Sequence, residues 1–182
     1  MSVQIAQMVD GDVLEKCWKL YNRSFDDLRV LAVQRHVMYG DEFEAVMADS
    51  RVDKYLLWGE DGELQGVGTM TNQLASMPLI SPDYFAHRWP DRYAKGLVFY
   101  IGFVGVDPDS HGTGVFSEIV RAMTEPVAGI EGVAILDVCS HNKNKLHLTR
   151  AIRWLASTWA PSVQMTDLDA QTYVAYDFAT TG

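Results

Sequence analysis

The stretch Val98–Met123, VFYIGFVGVDPDSHGTGVFSEIVRAM, decides how the rest of the chain is read. Val98–Val106 is almost wholly apolar, the pattern of a strand covered on both faces. Pro108 ends it, because a proline has no N–H to give a neighbouring strand. Gly112 and Gly114 follow, and Phe116, Ile119, Val120 and Met123 then recur at helical spacing. A strand, a glycine-bearing turn and a helix N-terminus bring backbone N–H groups together and add the positive end of a helix dipole. Such a junction suits an anion, a phosphate above all, without any basic side chain.

Toward the N-terminus, Val3–Met8 reads as a short strand. Asp12 and Glu15 have the spacing of a cap and its reciprocal partner. They open a helix to about Ser24 that buries Val13, Leu14, Cys17, Trp18 and Tyr21. A second helix is expected from Ser24 through Leu31 and Val37 to Gly40, and a short third one opened by Asp41 and Glu44. Lys54–Trp58 and Leu64–Asn72 form a hairpin about the turn Glu60–Glu63. Gly66 and Gly68 leave one face of its second strand bare, for the close approach of a backbone or ligand or for a bulge. From Leu74 to Gly96 the pattern is broken by Pro78, Pro82 and Pro90, with a helical turn at Phe85–Trp89. That connection carries His87, Arg88, Arg92 and Lys95, and reads as a loop packing its own aromatics or as a wall over a cleft.

Toward the C-terminus, the helix after Gly114 is expected to end before Pro126, and Val133–Val138 is a further buried strand. A helix from about Asn144 turns Leu148, Ala151, Ile152, Leu155 and Trp159 inward and stops before Pro161. Val163–Thr166 and Thr172–Phe178 read as two closing strands, and Thr180–Gly182 as a tail. With no repeat and no linker, residues 1–182 form one domain. The order β-α-α-β-β-loop-β-α-β-α-β-β gives a layered α/β (α+β) fold, a mixed and mostly antiparallel central sheet flanked by helices.

The 182 residues suffice for one core, and no apolar run approaches the ~20 needed to cross a bilayer. The first residues show no basic segment followed by an apolar one, so a cytoplasmic protein is expected, with no membrane as partner. Net charge is −9, with 24 acidic against 15 basic residues and no dense Lys/Arg cluster. No nucleic acid is therefore expected as a partner, and a cationic small molecule or basic partner is favoured. Cys17 and Cys139 read as free core thiols, the alternative being a nucleophilic Cys139 two residues from His141. No metal enters the reading.

Val106-Asp107-Pro108, a three-residue gap, and Gly112-Thr113-Gly114 opening an amphipathic helix resemble motif A of the GCN5-related N-acetyltransferases. In that signature (Arg or Gln, x, x, Gly, x, Gly or Ala), His111 takes the first slot and Gly114 the required glycine. The order of elements is similar too, over nearly the whole chain. The resemblance implies an acyl-CoA N-acyltransferase that moves an acyl group from acetyl-CoA or another acyl-CoA to a primary amine of a small molecule or peptide. It implies that the backbone of Val104 and Val106 pairs with the pantetheine arm. His111, Gly112, Thr113, Gly114 and Val115 would hold the pyrophosphate. Asn142 and Asn144 either contact the CoA arm or cap the next helix. Relatives often form homodimers.

Three positions depart from the pattern. Gly102 stands where many members place a glutamate base, Ala151–Leu155 lacks the tyrosine acid, and Phe116 occupies a site usually kept small. Tyr100, two residues before Gly102 on the same strand face, is one catalytic substitute, or else a core aromatic. His141, just after the fifth strand, is the other, or else a solvated loop histidine. Two further functions compete. The Leu74–Gly96 excursion faintly resembles the autoinducer and N-acyl amino acid synthases, which take acyl chains from an acyl carrier protein. The missing acid and base fit a non-catalytic binding protein on the same fold.

Overall fold

The computed structural model describes residues 1–78, 80–110 and 112–178. Five strands, β1 (Ser2–Ala6), β2 (Asp53–Trp58), β3 (Leu64–Thr71), β4 (Val98–Val106) and β5 (Val133–Leu136), form one sheet in sequence order. Successive pairs are antiparallel except β4–β5, which is parallel. The helix α1 (Gly11–Phe25) covers one face with α3 (Gly40–Ala48). Cys17, Leu20 and Tyr21 of α1 meet Phe43 and Met47 of α3 and Leu56, Val67 and Phe103 of the sheet. The other face is covered by α6 (Val115–Gly129), whose Val115, Ile119, Met123 and Val127 pack on Tyr55, Leu57, Met70 and Ile101.

The two bare positions in β3 serve that second face. A Cβ on Gly66 would stand 3.4 Å from Ile119, and one on Gly68 would stand 3.1 Å from the Met123 sulfur. They let α6 lie close, and the bulges fall elsewhere, opposite Leu57/Trp58 and Thr69/Met70. The hairpin runs as the sequence implies. Lys54 is fully buried in β2, and its ammonium donates to the carbonyls of Gln7, Asp49 and Val52 at 2.7, 2.6 and 2.7 Å. Burial pulls its pKa down to about 8, so it remains mostly charged at neutral pH, tying the end of β1 to the turn before β2.

The excursion before β4 holds two short helices, α4 (Pro82–Arg88) and α5 (Pro90–Ala94), each begun by a proline at its first position. Phe85 and Trp89 stack at 6.4 Å and pack with Leu74 against Val98 and Tyr100, so the segment does pack its own aromatics. His87, Arg88, Arg92 and Lys95 stay exposed on it.

Four expectations are corrected. The second helix, α2, is only Leu28–Leu31, because the chain after it is fastened to Tyr21 instead. The Tyr21 hydroxyl donates to the His36 carbonyl (3.3 Å) and accepts the Met38 N–H (2.9 Å). Pro126 lies inside α6, near its C-terminal end, where the buried Val127 holds the last turn onto the sheet. The helix expected from Asn144 is two pieces, α7 (Ser140–Asn144) and α8 (Leu148–Ala156), broken at His147 with φ 53°. Finally, neither Val163–Thr166 nor Thr172–Phe178 is a strand. Side-chain contacts rather than a ladder place this segment: Lys143–Asp167 at 2.8 Å, Tyr84 to the Leu168 carbonyl, and Tyr173 to Gln34. Residues 180–182 lie outside the described residues.

Candidate functional site

The sheet forks at the middle of β4. Its pairing with β5 runs from Val98↔Val133 to Ile101↔Leu136 and stops there. β4 continues to Val106 beside β3, whereas the chain after Leu136 turns away into α7. Gly102 is the residue at the parting: Thr69 pairs with Phe103 and Met70 with Ile101, so Gly102 is the extra residue of a bulge. A cavity of about 120 Å³ opens in the fork. Phe25 and Leu28 line it from one face of the sheet, Phe116 and Met123 from the other, so the opening connects both faces.

Among the polar groups at the cavity are Asp137, immediately after β5, and His36, from the segment after α2. The Tyr100 hydroxyl donates to Asp137 Oδ1 at 2.5 Å, while His36 Nδ1 stands 3.9 Å from Oδ2. Burial, and then the Asp137 charge and hydrogen bond, push the Tyr100 pKa far above the usual phenol value. Tyr100 is therefore a proton donor that stays protonated. The position two residues on is closed: a Cβ on Gly102 would lie 2.7 Å from Thr69 Oγ1 and 3.1 Å from the Met77 methyl.

The glycine turn at the far end of β4 is open. Gly112 and Gly114 have φ 79° and 87°, a region L side chains rarely adopt, and among the described residues beyond their chain neighbours nothing lies within 4 Å of a Cβ on either. Gly114 is the residue before α6, and the first-turn N–H groups of a helix have no carbonyl of their own to bond. The Thr113 N–H is engaged by the Ser110 carbonyl at 3.2 Å. Val104 lines the fork, and the Val106 carbonyl accepts from the Ser24 hydroxyl at 2.7 Å, leaving one lone pair for another donor. Arg23 of α1 holds the Asp107 and Asp109 carboxylates at 3.1 and 2.8 Å, offsetting part of the negative charge beside the turn. His111 lies outside the described residues.

Of the residues after β5, Asn142 and Cys139 line the cavity. Asn144 is exposed and donates to the Ser140 hydroxyl at 2.9 Å, within α7. His141 sits in the first turn of α7, half-buried, its carbonyl bonded by the Lys145 N–H. The structure thus gathers Tyr100, Val104 and Asn142 at the fork, with Gly112–Val115 at the turn beyond it. Sequence reading missed Asp137, His36, Ser24 and Arg23. Asp137 carried one usable signal, an acid directly after an apolar parallel strand, where open sheets gather ligands. His36 carried none.

The five-stranded mixed sheet flanked by helices has the fold of the GCN5-related N-acetyltransferases. No protein-family model matches the chain, and no curated protein matches it in sequence. Solved structures do. An aminoglycoside 6'-N-acetyltransferase from Acinetobacter haemolyticus has TM-score 0.55 at 12% identity, covering 97% of this chain and 100% of its own. The ribosomal-protein-S18-alanine N-acetyltransferase of Escherichia coli has TM-score 0.51 at 11% identity, with 83% and 76% covered. An aminoglycoside acetyltransferase from an uncultured soil metagenomic sample, in complex with trehalose, has TM-score 0.53 at 11% identity, with 94% and 96% covered. At these identities the likeness is one of fold.

Proposed function

We propose that this chain is a divergent GCN5-related N-acyltransferase, taking an acyl group from acyl-CoA to a primary amine. The observation that carries the reading is the fork in the sheet with an open glycine turn at the end of the same strand. The residues fit the donor. The space at Gly112 and Gly114 that a Cβ would fill admits phosphate oxygens to the backbone, and the start of α6 favours their charge. Gly112, Gly114 and Val115 would hold the pyrophosphate, with Thr113 in the same turn, and Arg23 lessens the repulsion from Asp107 and Asp109. Beyond Ile101, β4 has no β5 partner, so Val104 and Val106 can offer peptide groups to an amide-bearing arm, with Asn142 beside them. When bound, acyl-CoA supplies a thioester-activated acyl group.

The remaining chemistry belongs to the chain. The amine must shed a proton, and the developing oxyanion and thiolate need donors. Tyr100 enters through Asp137: its single hydroxyl proton is given to Oδ1, so it orients that carboxylate beside the site. His141, one residue before cavity-lining Asn142, is the candidate on the basic side.

Thermal unfolding with and without acetyl-CoA tests the reading. Ligand at one hundred times its Kd adds about 2.7 kcal/mol, a shift of several degrees. Gly114→Val should abolish the shift by placing a branched side chain on the turn at positive φ. Arg23→Ala, on an exposed ion pair, should reduce it with the ligand-free transition little changed. No shift in the wild type, or a full shift in Gly114→Val, would overturn the assignment.

A further inference from the structure

Three features of Asp137 stand outside the chemistry just described. One carboxylate oxygen is claimed, since Tyr100 donates to Oδ1 at 2.5 Å, which fixes the plane of the group. The other has no hydrogen-bond donor among the described residues, His36 Nδ1 standing 3.9 Å away and beyond hydrogen-bond reach. The side chain keeps 55% exposure, so a molecule entering the fork can reach it. The apolar Phe25, Leu28, Phe103, Leu148 and Ile152 face the same space, together with the polar His36, Thr124 and Asn142.

A carboxylate oxygen with no protein donor, at the mouth of a largely apolar cleft, pairs best with a group that is itself cationic and brings several N–H donors. An ammonium supplies both, and the apolar walls take up whatever hydrocarbon carries it. We propose that Asp137, aimed by the Tyr100 hydroxyl, is the receptor for the ammonium of a primary amine with an apolar alkyl or aryl body. The acceptor substrate is then a hydrophobic amine rather than a sugar or a polyamine. Asp137 acts as the specificity-determining residue, and Tyr100 as the positioning residue that holds it. As a statement about the acceptor, the proposal rests on the N-acyltransfer reading; as a statement about binding, it can be measured without the donor.

Isothermal titration with phenethylamine and with phenethyl alcohol, of the same shape but neutral, reads the carboxylate alone. The wild type should bind the amine at least about tenfold more tightly than the alcohol, the worth of one charged hydrogen bond. Asp137→Asn should erase that preference while keeping the affinity for the alcohol. Tyr100→Phe should narrow the preference, a loss that mere damage to the wall would not produce because damage weakens both ligands. Spermidine, with charge but no compact apolar body, should bind more weakly than phenethylamine.

An unchanged preference in Asp137→Asn, or no preference in the wild type, overturns the proposal. So does tighter binding of spermidine. The acetyl-CoA thermal shift, run on the same proteins, separates the two readings. A shift without amine preference removes the receptor and leaves the acyltransferase; preference without a shift does the reverse.

Discussion

At Gly102, β4 carries one residue more than the strand beside it, and the bulge turns two consecutive positions toward Thr69 and the α1 face. A methyl group there would press on Thr69 Oγ1 at 2.7 Å, so Gly102→Ala should cost about 1–3 kcal/mol in denaturant unfolding. Thr69 itself is fully buried, and its hydroxyl has no partner among the described residues. Thr69→Val should therefore be neutral or stabilising, since it removes a polar atom that bonds nothing. A Gly102→Ala protein as stable as the wild type would show that the bulge relaxes freely. The sequence displayed a missing side chain at this position but not why it is missing: the obstruction comes from another strand. Asp137 and Tyr100 are 37 residues apart, and no periodicity links them, which is why their pairing was invisible until the fold joined β4 to β5.

Among the elements, α3 shows how a short helix is held by groups around its first turn. Glu42 accepts the Tyr39 N–H at 2.7 Å and both guanidinium nitrogens of Arg35, whose carbon lies 4.2 Å over the Tyr39 ring. The Arg35 hydrogen bonds, and then the Tyr39 N–H, lower the Glu42 pKa from 4.5 to about 2. At the other end of α3, Arg51 lowers Asp49 from 3.8 to about 2. Both groups are more acidic folded than unfolded. Their contribution is complete above about pH 4.5 and is lost as pH falls through the folded values near 2. Denaturation midpoints measured from pH 6 to pH 2 should fall over that window, less steeply at high salt and in Glu42→Gln combined with Asp49→Asn. A curve unchanged by the two substitutions would place the acid sensitivity elsewhere. The sequence marked this helix but assigned its start to Asp41 and Glu44, because the true arrangement uses Arg35 from an irregular segment that no spacing rule reaches. By contrast Val98–Val106 was read residue for residue, since continuous apolarity bounded by Gly96 and Pro108 leaves a strand few other places to lie.

Across the whole molecule, legibility fell with dependence on distant partners. The sheet's five strands and the two large helices carry their own patterns, and all were anticipated. Thr172–Phe178 carries a strand pattern too, yet Tyr173, Val174, Tyr176 and Phe178 remain 48–89% exposed without a ladder. Propensity without a paired neighbour does not make a strand, and this segment stays unpaired although β5 is an edge strand. Ending the chain after Gln171 should thus change stability by no more than about 0.5 kcal/mol, because among the described residues it removes surface contacts such as Tyr173–Gln34. A loss of several kcal/mol on calorimetry would contradict this arrangement.

The sheet order β1-β2-β3-β4-β5 repeats the order of the chain itself. Each strand therefore leaves the ribosome after the strand it will pair with, and finds its template already made. Three antiparallel pairings need no later segment, so most of the sheet can close while synthesis continues. The parallel pairing of β5 must wait for all of α6 to be translated and docked. Asp137 follows directly on β5, so a nascent chain holds four paired strands before it owns the carboxylate at the fork.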